Sequence, residues 1–354
     1  MKFLLNKEEE KKLIALFEQY DNNDAYYDYL YDINYEDDAF RKKKERALKK
    51  GQAPLEKKNL LFDFLEKAHP IKNEFVKKTI RWETQVLTAK HFEANPYFKA
   101  LKSVSFNDNG YRLETPVIHA YYVFSYGDEY NYGANYAVNM SLAVLDEDLT
   151  YPAIYKDGLE NLWLTPNEIR EMEVPIALAK GDVLTIGLDI GYYAYMVSLK
   201  EEVKNVYIVE ADQKLVDIFI KYILPLFPYP EKIHIIRAHP YMFYDTIEDN
   251  DYDCIFVNFF NGVSYGAATY IEVKRYFSKF KYTQCSYMIE NSIITHLRWL
   301  VIGVMKDEYY HTFDNRNHIE DYIASSLEDY EIKSSDDIDS LLNLQGLSEL
   351  FLNF

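Results

Sequence analysis

Three of the chain's 12 glycines, Gly181, Gly187 and Gly191, fall within 11 positions, and the stretch that follows them constrains the fold more than any other part. From Gly181 to Phe260 the sequence reads GDVLTIGLDIGYYAYMVS, NVYIVEADQKLVDIF, KIHIIRAHPYMFYD and YDCIFVNFF. A glycine-bearing turn separates an apolar strand from a helix, and Glu210 closes the next strand 19 residues after Gly191. That is the layout of a nucleotide-binding α/β unit. Strands are expected at Val183–Ile186, Val206–Glu210, Ile233–Ile236, Cys254–Asn258 and Tyr287–Glu290, with helices at Tyr192–Leu199, Gln213–Leu224 and Thr269–Phe280. Strands this apolar, joined by helices, imply a parallel sheet covered on both faces.

Ligands of such a sheet bind at the C-terminal ends of the strands, where the strand order switches. The first turn must let backbone approach the ligand, which favours glycine, and the helix that begins there offers free N–H groups. Glu210 is placed to accept hydrogen bonds from ribose hydroxyls. His239, or the backbone beside it, can read an adenine edge. The fourth strand ends in Asn258-Phe259-Phe260-Asn261, facing the reacting group.

Four regions are expected. Residues 1–95 read as helical, with Leu4, Leu5, Ile14, Leu16 and Phe17 spread through charged positions. Within them DNNDAYYDYLYDINYEDD lacks the glycine and ligand spacing of a calcium loop, and the basic run Arg41 to Lys50 reads as a solvated helix face. Residues 96–164 carry short β-rich runs, Tyr111–Leu113, Val117–Phe124 and Tyr136–Val144, read as antiparallel hairpins. Residues 165–305 hold the α/β unit. Its entry is LTPNEIREMEVPIALAKG, where Thr165 is an N-cap, Pro166 suits the first helical position and Glu168 completes a capping box. Pro175 is expected to kink or restart that helix, and Gly181 to end it. Residues 306–354 form a helical tail without strands, with 12 acidic and 2 basic residues from Asp307 onward.

A formal charge of −18 disfavours nucleic acid as a partner. Cys254 and Cys285 have neither metal nor disulfide spacing, and six of the histidines, from His69 to His318, are too dispersed for a local motif, so no metal site is expected. The 34 tyrosines read mainly as amphipathic rings covering core edges. The start, MKFLLNKEEEKK, does not read as a signal peptide, and the apolar run Trp299 to Met305 is far short of a membrane span. A cytoplasmic protein with a small-molecule substrate, no membrane contact and a capacity for homo-oligomers is the expectation. Arg298 could face a carboxylate substrate, or simply pack its stem beside Trp299.

Residues of about 155 to 300 resemble class I S-adenosylmethionine-dependent methyltransferases, in their spermidine-synthase-like branch. The resemblance rests on the β-rich segment, Asp157-Gly158, the capped helix with Glu168, then VLTIGLDIG and YIVEAD. It implies a Rossmann-like methyltransferase sheet of seven strands with the last reversed, helices on both faces, and S-adenosylmethionine as cofactor. It would put Gly187, Asp189 and Gly191 in the cofactor loop, Glu210 on the ribose, His239 near the adenine and Asn258 on the sulfonium side. The chain departs from the family pattern at four positions. Thr185 replaces the acidic residue of the first strand, Asp189 the middle glycine, and His239 and Asn258 common aspartates. VNFFNG also lacks the aspartate pair of aminopropyl transferases and the Asn-Pro-Pro-aromatic signature of amino-methyltransferases.

Three functions follow. The first is S-adenosylmethionine-dependent transfer to a small molecule, which can run on proximity and alignment without a catalytic triad. The second is a catalytically degenerate fold serving as a binding or scaffold protein, favoured if the Asp189 side chain projects into the cofactor space. The third is another adenine nucleotide such as NAD, disfavoured because Gly-x-Gly-x-x-Gly is missing.

Overall fold

The computed structural model describes residues 1–34, 37–129, 139–260, 262–312, 316–351 and 354. Asn261, residues 136–138 of one expected strand and residues 35–36 of the tyrosine-rich segment lie outside the described residues. The chain is a mixed α/β protein built on one parallel sheet of β1 (Gly181–Ile186), β2 (Val203–Glu210), β3 (Ile233–Arg237), β4 (Cys254–Val257) and β5 (Gln284–Tyr287). Its order is β3-β2-β1-β4-β5, with every pair parallel. The order reverses between β1 and β4, which makes that boundary the topological switch point.

Because successive strand residues face opposite sides, each strand feeds two cores. Val183, Val206, Ile208 and Phe256 pack with α8 (Tyr192–Ser198) and α9 (Gln213–Ile218). Leu184, Ile186, Ile255 and Val257 pack with α11 (Val263–Phe277) and α12 (Glu290–Tyr310). This two-sided burial is why β1 carries no alternation.

The N-terminal part is helical in α1 (Lys7–Asn34), α2 (Asp38–Leu48), α3 (Pro54–Ala68) and α4 (Glu74–Glu83), then interrupted by a strand, Gln85–Leu87. Residues 21–34 of the tyrosine-rich segment are the second half of α1, which explains its aromatic spacing: Tyr26, Tyr29, Leu30 and Ile33 enter a third core with α3 and α4. The first half of α1 packs Leu13 and Phe17 into the core of α12.

Several expectations are corrected. Helix α7 (Pro166–Leu178) runs through Pro175 without restarting, and it ends before Gly181. Gly181 instead opens β1 at φ +63°, and a Cβ there would lie 1.9 Å from the Asp253 carboxylate. The Gln213–Leu224 helix changes at Phe219 to a π-turn and then a 3₁₀ turn at Leu224–Leu226, because Pro225 has no N–H to continue the ladder. The fifth strand comes three residues earlier than expected, and Glu290 belongs to α12. The Val117–Phe124 run breaks at Tyr121 (φ +58°) into two short strands in different sheets. Where the resemblance implies seven strands with a reversed last one, this sheet has five among the described residues. After β5 the chain turns at Ile289, in the left-handed region at φ +50°, and goes straight into α12.

The acidic tail folds back as α13 (His318–Ser326), α14 (Ser335–Leu342) and α15 (Leu344–Leu350). It does contain a strand, Glu331–Ile332, which pairs in parallel with Lys2–Phe3. Buried Arg298 donates its Nε–H to the Leu342 carbonyl at 2.8 Å, so it ties α12 to the tail. Among the described residues no helix is long and apolar enough to cross a membrane. Since Phe17 is 2% exposed between α1 and α12, Phe17→Ala should cost about 3–5 kcal/mol in urea denaturation.

Candidate functional site

The loop after β1 is held at three left-handed positions, Gly187 (φ +108°), Asp189 (φ +51°) and Gly191 (φ +87°). Gly187 is forced by a close approach: a Cβ would sit 2.0 Å from the Asn258 carbonyl oxygen. The backbone there is pinned from both sides, since Gly187 N–H donates to Val209 and Asn258 N–H donates to Ile186. Thr185 is buried and donates its hydroxyl to the Gly187 carbonyl at 3.1 Å. The threonine thus satisfies the loop internally.

Glu210 ends β2 beside the loop. Its Oε1 accepts from the N–H groups of Ala211 and Asp212, both at 2.8 Å, and its Oε2 accepts from Leu188 at 3.3 Å. The carboxylate therefore joins the ends of β1 and β2.

Asp189 reaches the other way. Asn258 donates Nδ2–H to Asp189 Oδ2 at 3.4 Å, a bridge from the β1 loop to the end of β4 across the switch point. Asp189 as a residue is partly exposed, while protein surrounds its carboxyl deeply. Burial pushes its carboxyl up to about 6, against the Ile190 N–H and Asn258, with the charges of Glu168 and Glu210 adding to the rise.

His239 stands apart from this cluster. It is exposed at the start of a short helix, α10 (Pro240–Phe243), and its ring lies 5.5 Å from that of Tyr241. Tyr241 in turn packs on Phe259 at 5.1 Å, and Phe259 stacks with Phe260 at 5.5 Å. Gly187, Asp189, Gly191, Glu210 and Asn258 thus meet at one strand end, and His239 joins them only through aromatic neighbours.

Two groups escaped the sequence reading. Tyr97, on α6 (Pro96–Leu101), is fully buried and donates its hydroxyl to the Ile190 carbonyl, and its oxygen would lie 3.1 Å from a Cβ on Gly191. Its only sequence signal is Asn95-Pro96, an N-cap whose side chain accepts from Tyr97 N–H. Asp212 accepts from Tyr111 Oη at 2.6 Å and Lys156 Nζ at 2.8 Å while capping α9. Desolvation would raise Asp212, but Lys156, Tyr111 and the Leu215 N–H outweigh it and hold the carboxyl near about 2. Lys156 ends the strand before the Asp157-Gly158 turn, so this cluster docks the antiparallel β-rich sheet beside Glu210. Among the described residues no three His, Cys, Asp or Glu side chains form a metal-holding group.

No family model matches the chain, and no curated protein matches its sequence. Solved structures match part of it, two spermidine synthases among them. One is a spermidine synthase from Thermotoga maritima, 15% identical with a TM-score of 0.32, covering 43% of this chain and 59% of that one. The other is a spermidine synthase in complex with the transition state analogue AdoDATO, 13% identical with a TM-score of 0.32, covering 46% and 61%. The chain therefore spans about three fifths of each of these two structures.

Gly187→Ala adds both a left-handed alanine and a backbone clash, so a loss of at least about 3 kcal/mol in denaturant unfolding is expected. For Asp189, the native state keeps its proton between the ordinary value of 3.8 and about 6, where the unfolded chain has lost it. Stability contributed by this group therefore falls as pH rises through that window. Asp189→Asn should remove the penalty, so the variant's melting temperature should gain on the wild type from about pH 4 to about pH 7. A constant difference across that range would refute the assignment.

Proposed function

We propose that the chain is a catalytically degenerate methyltransferase-like fold that works by binding, as a scaffold, and not by group transfer. The Asp189–Asn258 bridge across the switch point carries this reading. Where the family keeps a glycine to admit the cofactor, this chain places a carboxylate already engaged with the residue that the resemblance puts on the sulfonium side. Glu210 still fits the ribose end of an adenosyl cofactor, but Asp189 and Asn258 do not fit its methionine end. Replacing ligand contacts by internal ones leaves ligand groups unpaired, at roughly 1–3 kcal/mol each. A net charge of −18 favours a cationic or basic partner.

A second reading, S-adenosylmethionine-dependent transfer to a small molecule, is favoured by Glu210, whose carboxylate ends β2 against the glycine loop. Isothermal titration with S-adenosylmethionine and S-adenosylhomocysteine separates the two. Scaffolding predicts no heat at millimolar ligand and no shift in a thermal panel that includes NAD. An adenosyl ligand retained through purification, detected by mass spectrometry, would sink the scaffold reading and favour transfer.

A further inference from the structure

The sheet ends at β5, and the chain continues from it into α12 and the acidic tail. Between α11, the start of α12 and α15 a cavity of about 340 Å³ opens, within the size range of small-molecule sites. Its walls are apolar, chiefly Ile271, Ile294, Leu297 and Leu347. Its rim carries Lys274, Arg275, Glu290 and Asn291. Glu290 accepts from Tyr270 Oη and Lys274 Nζ, both at 2.7 Å, and so anchors the lysine at the mouth. Lys274 also lies 4.5 Å from the centre of the Tyr287 ring.

The charge of this rim runs against that of the molecule. Two cations face one carboxylate at the cavity, in a chain of net charge −18. An ammonium has three donors and Glu290 takes one of them, while Asn291 adds an amide. Donors thus gather at one end of an apolar slot.

We propose that this cavity binds an amphipathic organic anion, a carboxylate on an aliphatic chain. The chain lies between α12 and α15 and the head meets Lys274 and Arg275. Burial of methylene groups supplies affinity, and the cationic rim supplies the sign preference. The site shares no lining residue with the glycine loop, and it stands whether or not that loop takes a cofactor.

The test is isothermal titration of the full chain with decanoate and with decylammonium, each below micelle formation. Decanoate should bind, and decylammonium should bind at least about tenfold more weakly. Ser348→Trp, at an exposed position on the rim, should fill the cavity and weaken decanoate binding by about tenfold or more with an unchanged melting temperature. Leu344→Glu, also exposed on the rim, should do the same and guards against one variant folding poorly. Lys274→Gln should weaken decanoate several-fold and leave decylammonium no weaker. Equal binding of the two amphiphiles, no decanoate binding, or wild-type binding in both rim variants would overturn the proposal.

Discussion

The carbonyl of Asn258 occupies the space that a side chain at position 187 would need, and that approach sets the geometry around it. It holds the end of β4 against the turn that leaves β1, where Asn258 N–H bonds Ile186 of β1 and Gly187 N–H bonds Val209 of β2. The turn must then pass through left-handed backbone at Gly187, Asp189 and Gly191 before α8 begins. Tyr97 presses on the far side of that turn, which ties the α6 region to the same few atoms.

From this contact follows the unusual chemistry of the loop. The carboxylate at the middle of the loop meets the Asn258 amide and is crowded by protein. The neighbouring charges of Glu168 and Glu210 add to the cost of ionising it. Nearby, Asp212 is held ionised by Lys156 and Tyr111. Two aspartates near the ends of β1 and β2 are thus driven in opposite directions by what surrounds them.

The parallel sheet was legible because a strand buried on both faces leaves an uninterrupted apolar run, and VLTI, VYIV and CIFV are such runs. Helix α7 was legible at its start, where the Thr165–Glu168 box is a local hydrogen-bond pattern, and illegible at its end, where Pro175 is tolerated inside the helix. Two-residue strands such as Glu331–Ile332 leave no pattern at all, since their partner, Lys2–Phe3, lies at the opposite end of the chain. The same holds for Tyr97 and Lys156, whose partners lie 93 and 56 residues away.

By itself the sequence determined the strand–helix alternation, the glycine turn and the place of Glu210, because these depend on local periodicity and on the steric freedom of single residues. Only the tertiary structure decided that Asp189 reaches Asn258, that His239 stands outside the cluster, and that helices lie where the resemblance implied two more strands. Those outcomes depend on which distant segments share space, and a linear pattern does not encode the distance between two side chains 69 residues apart.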